Sequence, residues 1–231
     1  MTGAVVSGVS VIMIARNGAA FITDALNSIF LSRLRPLEVL VIDGGSTDGT
    51  AALAAAVPGV TVLAQSSCGI SAAYNEGIAW ARGDLLAFLS SDDLWLPGKL
   101  DRQAALMQAD PELLYSVTMV EHFLQPGGTP PPGFRHALLD RPVPGMLMET
   151  LMARPAAFAR IGGFDPAHAV AGDTDWFARA RDAGLRMALL PEVLLRKRVH
   201  GGNASLTDPQ LNGQLLTALR DSLARKRAAA G

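Results

Sequence analysis

Gly83-Asp84-Leu85-Leu86-Ala87-Phe88-Leu89-Ser90-Ser91-Asp92-Asp93-Leu94-Trp95 contains an apolar run, Leu85 to Leu89, long enough for one buried strand and too short for a helix. Two small hydroxyl residues and two adjacent carboxylates end it abruptly. Pro97 follows, at a place that suits the first turn of a helix. One reading is a buried strand that delivers Asp92 and Asp93 to its carboxyl end, the edge where ligands bind in open α/β sheets. Paired carboxylates on a rigid strand end suit a hard divalent cation that keeps positions open for phosphate oxygens. The other reading is a loop whose acidic residues cap the next helix, since Asp is a common N-cap.

Toward the N-terminus, the β-branched run Val9 to Ile14 predicts a first strand, broken by Asn17-Gly18. Phe21, Ile22, Ala25, Leu26, Ile29 and Phe30 then recur at helical spacing. Leu37 to Ile42 makes a second strand that stops at Asp43-Gly44-Gly45-Ser46-Thr47-Asp48-Gly49-Thr50. Thr47 or Asp48 can cap the alanine-rich helix that follows, and Pro58-Gly59 ends it. Val60 to Leu63 is a short third strand. Ile70, Ala73, Gly77, Ile78 and Ala81 mark the helix leading into the carboxylate strand. Strands alternating with helices over short connections mean βαβ units and a parallel sheet. The first turn lacks G-x-G-x-x-G and no G-x-x-x-x-G-K-[ST] occurs, which disfavours a dinucleotide enzyme and a P-loop NTPase.

Beyond a helix predicted over Lys99 to Gln108, the pattern changes. Tyr115 to Leu124 and Gly145 to Met152 read as strands extending the same sheet in mixed direction. Gly162-Gly163-Phe164-Asp165-Pro166 is a tight turn, and Asp173-Thr174-Asp175-Trp176 opens a helix closed by Gly184. Met187 to Leu190 and Val193 to Val199 are further strands. Leu211, Leu215, Leu219 and Leu223 step by four into Arg225-Lys226-Arg227, an amphipathic helix with a basic end.

At 231 residues with 49% apolar content, the chain is long enough for a real core and too apolar for disorder. A formal charge of −1 argues against a general nucleic-acid binder. The single cysteine, Cys68, excludes an internal disulfide and suits the cytoplasm. Met1 to Ser10 shows no signal-peptide pattern, and no run of about 18 apolar residues suits a membrane span. No internal repeat is present; Gln125 to Pro132, rich in Pro and Gly, reads as a loop.

Val9-Ser10-Val11-Ile12, EVLVIDGGSTDGT (38–50) and GISAAYNEGIAWARGDLLAFLSSDDLWL (69–96) together resemble the family-2 glycosyltransferases. IGGFDPAHAVAGDTDWFARARDAG (161–184) is similar to that family's acceptor-side segment, and RKRVHGGNASL (196–206) to its closing segment. The resemblance covers roughly residues 9 to 206. It implies an α/β, GT-A fold with a mostly parallel central sheet. A single domain, 1–206, would hold a Rossmann-like nucleotide-sugar-binding half (9–96) and a mixed acceptor-side half (97–206), with 207–231 as the basic helix. It also implies an inverting enzyme, an Mn²⁺ or Mg²⁺ cofactor, a UDP-sugar donor, and a sugar or lipid-linked sugar acceptor in bacterial polysaccharide or glycoconjugate synthesis.

Carried over residue by residue, the resemblance places Asp43 on the nucleotide base, with Ala15, Asn17, Ser46, Gly69, Asn75, Ser91 and Asp92 around the nucleotide sugar. Asp93 and His200 are expected at the metal, Asp173 as general base, and Trp95, Glu121, His122 and Trp176 on the acceptor side. Ser90 stands where the family's D-x-D-D motif begins with Asp, Tyr74 where many members have Arg, and Gly172 where a Glu often precedes the base. Ala15-Arg16 likewise replaces a usual hydroxyl and aromatic pair.

The chemistry accounts for these residue types. Sugar transfer breaks a bond to a diphosphate that gains charge, which a cation neutralises as a Lewis acid. The attacking hydroxyl is a weak acid, so a positioned base contributes typically ~10²–10⁴-fold. Each assignment has a plainer counterpart. Asp173 also reads as an N-cap, Asp43 as a turn residue, His200 as a loop histidine, and Trp95 and Trp176 as core. The basic tail fits a solvated helix face, peripheral membrane contact or a homodimer interface. A nucleotidyltransferase or a non-catalytic binding module on the same scaffold are the rival functions.

Overall fold

The computed structural model describes residues 8–168 and 170–230. Most of the segment read for a leader therefore lies outside the described residues. The N-terminal half runs β1 (Val9–Ala15), α1 (Ile22–Ile29), β2 (Glu38–Asp43), α2 (Thr50–Ala55), β3 (Val60–Ala64), α3 (Ile70–Trp80) and β4 (Leu85–Ser90). There follow β5 (Leu94–Trp95), α4 (Lys99–Ala109), β6 (Tyr115–Leu124), α5 (Ala137–Asp140), β7 (Val143–Pro144) and β8 (Met152–Ala153). The chain continues through α6 (Pro155–Ile161), α7 (Gly172–Asp182), β9 (Met187–Val199), α8 (Ala204–Thr207) and α9 (Leu211–Ala230).

Among the described residues these strands form one sheet in the order β3-β2-β1-β4-β8-β6-β9-β5, with β7 also on β6. The first four strands are parallel, whereas β8 runs antiparallel between β4 and β6. The chain leaves β1 on one side to build β2 and β3, and returns on the other as β4. In open α/β sheets such a reversal is where the ligand crevice lies, at the carboxyl ends of the two strands, here β1 and β4. Register makes those ends level, with Ala15 opposite Asp43 and Ile14 opposite Ser90.

Alternation along each strand feeds two cores. Val11 and Met13 of β1, Val41 of β2 and Leu89 of β4 pack with Ile22, Leu26 and Ile29 of α1. Ile12, Ile42 and Phe88 point the other way, to Tyr74 of α3, Phe158 of α6 and Trp176 of α7. Both faces of the parallel half are covered, which is why its strands read as unbroken apolar runs.

Three expectations are corrected. Gly145 to Met152 is not a strand: a 3-10 turn, Met148–Thr150, separates the two-residue strands β7 and β8. Thr150 Oγ1 donates to the carbonyls of Gly145 (2.5 Å) and Leu147 (2.8 Å), closing the turn. A Cβ on residue 145 would lie 2.3 Å from Thr150 Cγ2, so only glycine permits it. Secondly, Met187 to Val199 is one strand rather than two. Pro191 and Glu192 fall out of register against β6, and proline has no N–H for the ladder. Thirdly, the leucine stripe of the expected amphipathic helix is not a continuous buried face of α9: Leu211 and Leu215 are half-buried, while Leu219 and Leu223 are exposed. Among its described side chains Ala218 and Ser222 are buried, Gln214 accepts from the backbone N–H of Val170 and Ala171, and Arg225 pairs with Asp182 at 3.0 Å. Leu216, Leu219 and Leu223 each stay more than half exposed. No helix among the described residues is long and apolar enough to cross a membrane.

Candidate active site

The loops after β1 and β2 are laced together at the sheet's carboxyl edge. Asn17, held at φ 51°, donates its N–H to Ser46 Oγ (2.9 Å) and accepts from Thr47 N–H (2.9 Å). Gly44 N–H donates to Ala15 O; Gly49, rather than Thr47 or Asp48, is the N-cap of α2, while Asp48, one residue earlier, accepts from Ala19 N–H and Thr50 N–H. Asp43 closes β2. Its Oδ2 accepts from Ser46 N–H at 3.0 Å, while Oδ1 is buried without a hydrogen-bond partner. A buried acceptor left unpaired is costly, so this oxygen is poised for a ligand donor. Gln65, which the sequence did not single out, walls the same corner. Its N–H bonds Asp43 O, its side chain donates to Gly69 O, and its Oε1 lies against Gly44. Ser91 joins from β4, packing so tightly on Gly18 that a Cβ there would lie 2.7 Å from Ser91 Oγ.

Asp92 and Asp93 occupy opposite environments. Asp93 has no solvent exposure, and both oxygens are taken, Oδ1 by Arg198 N–H (2.8 Å) and Oδ2 by Lys197 Nζ (2.9 Å). This corrects the placement of Asp93 on a metal: each oxygen already accepts from β9, and the side chain has no opening to solvent. Asp92 keeps about 23% of its side chain exposed. Its Oδ2 meets His200 Nε2 at 3.0 Å and Asn203 Nδ2 at 3.2 Å. Burial raises the Asp92 pKa, but the His200 bond and the Lys197 charge outweigh it and hold the carboxyl below its ordinary value. His200 Nδ1 accepts from Gly202 N–H, which assigns the proton to Nε2. Among the described residues, no group of three His, Cys, Asp or Glu is placed to hold a metal. An ion at this edge would have only Asp92 and His200 as protein donors, with its other positions left to ligand phosphates. Ligation through Nε2 would move the ring proton to Nδ1 and give up the bond from Gly202 N–H.

Glu149, on the 3-10 turn, is a second residue the sequence did not flag. Ser90 Oγ donates to its Oε1 at 2.5 Å, and Lys197 Nζ lies 3.5 Å from the same oxygen. Lys197 is therefore shared between Asp93 and Glu149. Burial works against its charge, but Asp93, Glu149 and Asp92 outweigh it and hold the ammonium well above the ordinary lysine range. Asp173 lies in the first turn of α7, accepting from Thr174 N–H at 2.6 Å. Burial, and then the charge of Glu149, raise its pKa to about 6. Because Glu149 and Lys197 act on Asp173 as well as on Asp93, all of these groups share one electrostatic neighbourhood. Gly172 is explained locally: a Cβ there would lie 2.7 Å from Ser71 Oγ.

Several expected contacts are corrected. Asn75 spends its amide on the backbone of Phe164, donating at 2.7 Å and accepting at 2.8 Å, and so staples the turn after α6. Trp95 is 1% exposed, donates to Glu149 O, and carries Lys99 4.3 Å above its ring. Trp176 is wholly buried among Tyr115, Phe158, Phe164 and Phe177. Neither tryptophan can face a sugar. Glu121 and His122 stay half-buried on β6, opposite Arg196 and Lys197; Glu121 pairs with Arg196 at 2.6 Å. Burial and the Lys197 charge lower the His122 pKa. Arg198 is also spent, lying over Phe21 and Phe123 and donating to Asp92 O.

Comparison with known proteins agrees with this architecture. The family described as "Glycosyl transferase family 2" matches residues 10–164. An uncharacterized protein of Mycobacterium tuberculosis is 28% identical over 208 residues, covering 83% of this chain and 59% of the relative. The chain thus spans less than two thirds of that relative's length. Two solved structures share the fold. One is S. aureus TarS 1-349 in complex with UDP-GlcNAc (TM-score 0.72, 19% identity, covering 94% of this chain and 66% of that one). The other is M. tuberculosis glucosyl-3-phosphoglycerate synthase with Mn²⁺, UDP and phosphoglyceric acid (TM-score 0.68, 19% identity, covering 93% and 78%). With the family matched over residues 10–164, most of this chain, the chain belongs to glycosyl transferase family 2.

Proposed function

We propose that the protein is an inverting, metal-dependent glycosyltransferase that moves a sugar from a UDP-sugar to a hydroxyl acceptor. The reading is supported by Asp43 closing β2 and Asp92 following β4 at their level carboxyl ends, and by Lys197 and Glu149 acting on Asp173 as well as on the Asp92/Asp93 corner. Asp43 Oδ1, buried and unpaired, suits an imide N–H such as that of uracil. Asp92 and His200 would hold Mn²⁺ or Mg²⁺, which supplies Lewis-acid neutralisation of the diphosphate leaving group. The Mn²⁺ and UDP bound by the mycobacterial synthase support that choice.

Asp173 then takes the proton from the acceptor hydroxyl. The freed oxygen forms its bond to the anomeric carbon as the bond to the diphosphate oxygen breaks, and the electron pair leaves with the diphosphate. Attack on the face opposite the leaving group inverts the centre, the geometry known from paired-carboxylate inverting hydrolases. His122 and Glu121 border the acceptor side. The acceptor is a sugar or lipid-linked sugar of a bacterial polysaccharide or glycoconjugate. The exposed Leu216, Leu219 and Leu223 of α9 are the surface for peripheral membrane contact or self-association. Calorimetry with UDP, with and without Mn²⁺, tests the reading directly. Metal-linked binding is expected, and an absence of heat under both conditions overturns it.

A further inference from the structure

We propose that Glu149 grips the transferred sugar of the donor, its carboxylate accepting hydrogen bonds from a pair of neighbouring hydroxyls. The inference rests on the glycosyl-transfer reading and deepens it. In-line displacement puts the sugar ring between the leaving diphosphate and the base. Whatever stands between Asp92 and Asp173 must therefore border that ring. Glu149 is the carboxylate linked to both sides. Ser90, two residues before Asp92, donates to it, and its charge acts on Asp173.

Its placement is fixed from behind. Trp95 Nε1 donates to Glu149 O at 2.9 Å, Gln103 Nε2 donates to Thr150 O at 3.0 Å, and Thr150 Oγ1 closes the turn. Both side-chain partners use Oε1, and among the described residues Oε2 carries no hydrogen bond. The side chain keeps about 10% exposure, so the carboxylate is not sealed from solvent. A buried carboxylate held this firmly, with one lysine shared between two anions, is costly unless a ligand completes its bonds. An ionised carboxylate is an acceptor only, with room for two donors, which matches a sugar bearing adjacent free hydroxyls. Ser90 presents no charge of its own, so the acid on this side of the crevice comes from the turn rather than from the strand.

The test compares UDP with UDP-glucose, UDP-galactose and UDP-N-acetylglucosamine, titrated with Mn²⁺ into wild type, Glu149→Gln and Glu149→Asp. Glu149→Gln is expected to bind UDP within about twofold of wild type while losing roughly tenfold of the affinity that the best sugar adds over UDP. Glu149→Asp, which keeps the charge but shortens its reach, should fall between. Equal loss of UDP and UDP-sugar binding would mark Glu149 as a prop for the fold and overturn the proposal, as would unchanged binding of both. If wild type binds neither UDP nor any of the three sugars, the glycosyl-transfer reading fails and this inference falls with it.

Discussion

Lys197 Nζ sits 2.9 Å from Asp93 Oδ2, and the aspartate it meets is wholly buried. The pair ties β9 to the end of β4, and through Glu149 to the 3-10 turn. Removing one partner of a buried pair strands the other charge, at a cost of about 3–5 kcal/mol. Lys197→Met should therefore unfold at clearly lower denaturant concentration. Adding Asp93→Asn should restore part of the loss. Equal midpoints for wild type and Lys197→Met would show that the pair contributes nothing.

Asp173 links activity and stability with opposite signs. Its folded pKa of about 6 lies above the ordinary 3.8. The folded state therefore keeps its proton more tightly than the unfolded chain, and stability falls as pH rises from about 4 to about 6. Asp173→Asn removes that penalty. It should raise Tm by about 2–4 °C per kcal/mol recovered at pH 7.5, with the gain vanishing below pH 4. The same variant should lose roughly 10²–10⁴-fold in kcat, the usual contribution of a general base. Full turnover by Asp173→Asn would remove it from the mechanism.

A base must be ionised to act, so the rate should fall on the acid side near pH 6. Burial and the negative charge of Glu149 both raise this value. Glu149→Gln deletes the second cause and should move the acid limb to lower pH. A limb that stays in place, measured as log(kcat/KM) against pH, would separate Glu149 from Asp173 electrostatically.

Asp92 is the accessible member of its pair, so Asp92→Asn should weaken UDP binding in Mn²⁺ while leaving the weaker binding in EDTA nearly unchanged. Titrations under the two conditions give the comparison directly; an equal drop in both would assign Asp92 to the nucleotide rather than the ion.

Asp43→Ala should cost about tenfold in UDP affinity, the worth of one good hydrogen bond to a charged acceptor. Its effect should be the same with and without metal, because the base corner lies at the end of β2, apart from Asp92. A metal-dependent loss would contradict that division.

The parallel half was legible because strands buried on both faces leave unbroken apolar runs, as in Val9 to Ile14 and Leu85 to Leu89. Asp92 was legible as a carboxylate at a strand end, whereas Asp43 and Asp173 were singled out by the family resemblance, their local pattern reading equally as a turn residue and an N-cap. Glu149 was missed. It sits within the apolar stretch Gly145 to Met152, where a hydroxyl-closed turn imitates a short strand. The one available signal was a lone acid inside Met146-Leu147-Met148-Glu149-Thr150-Leu151-Met152. Lys197 and Gln65 likewise act on partners whose nearness only the folded sheet supplies. The leucines of α9 misled for another reason: four-residue spacing marks an apolar stripe without saying whether anything covers it.

The irregularity in β9 does more than accommodate Pro191. Its thirteen residues run beside ten of β6, with Pro191, Glu192 and Leu194 skipped in the pairing. Because a strand alternates faces with period two, an odd excess inverts the parity of everything downstream. Lys197 and Arg198 reach Asp93 in that inverted phase. Deleting any one of the skipped residues, none of which touches a ligand in the proposed reaction, should turn the basic segment over and disarm the enzyme from a distance.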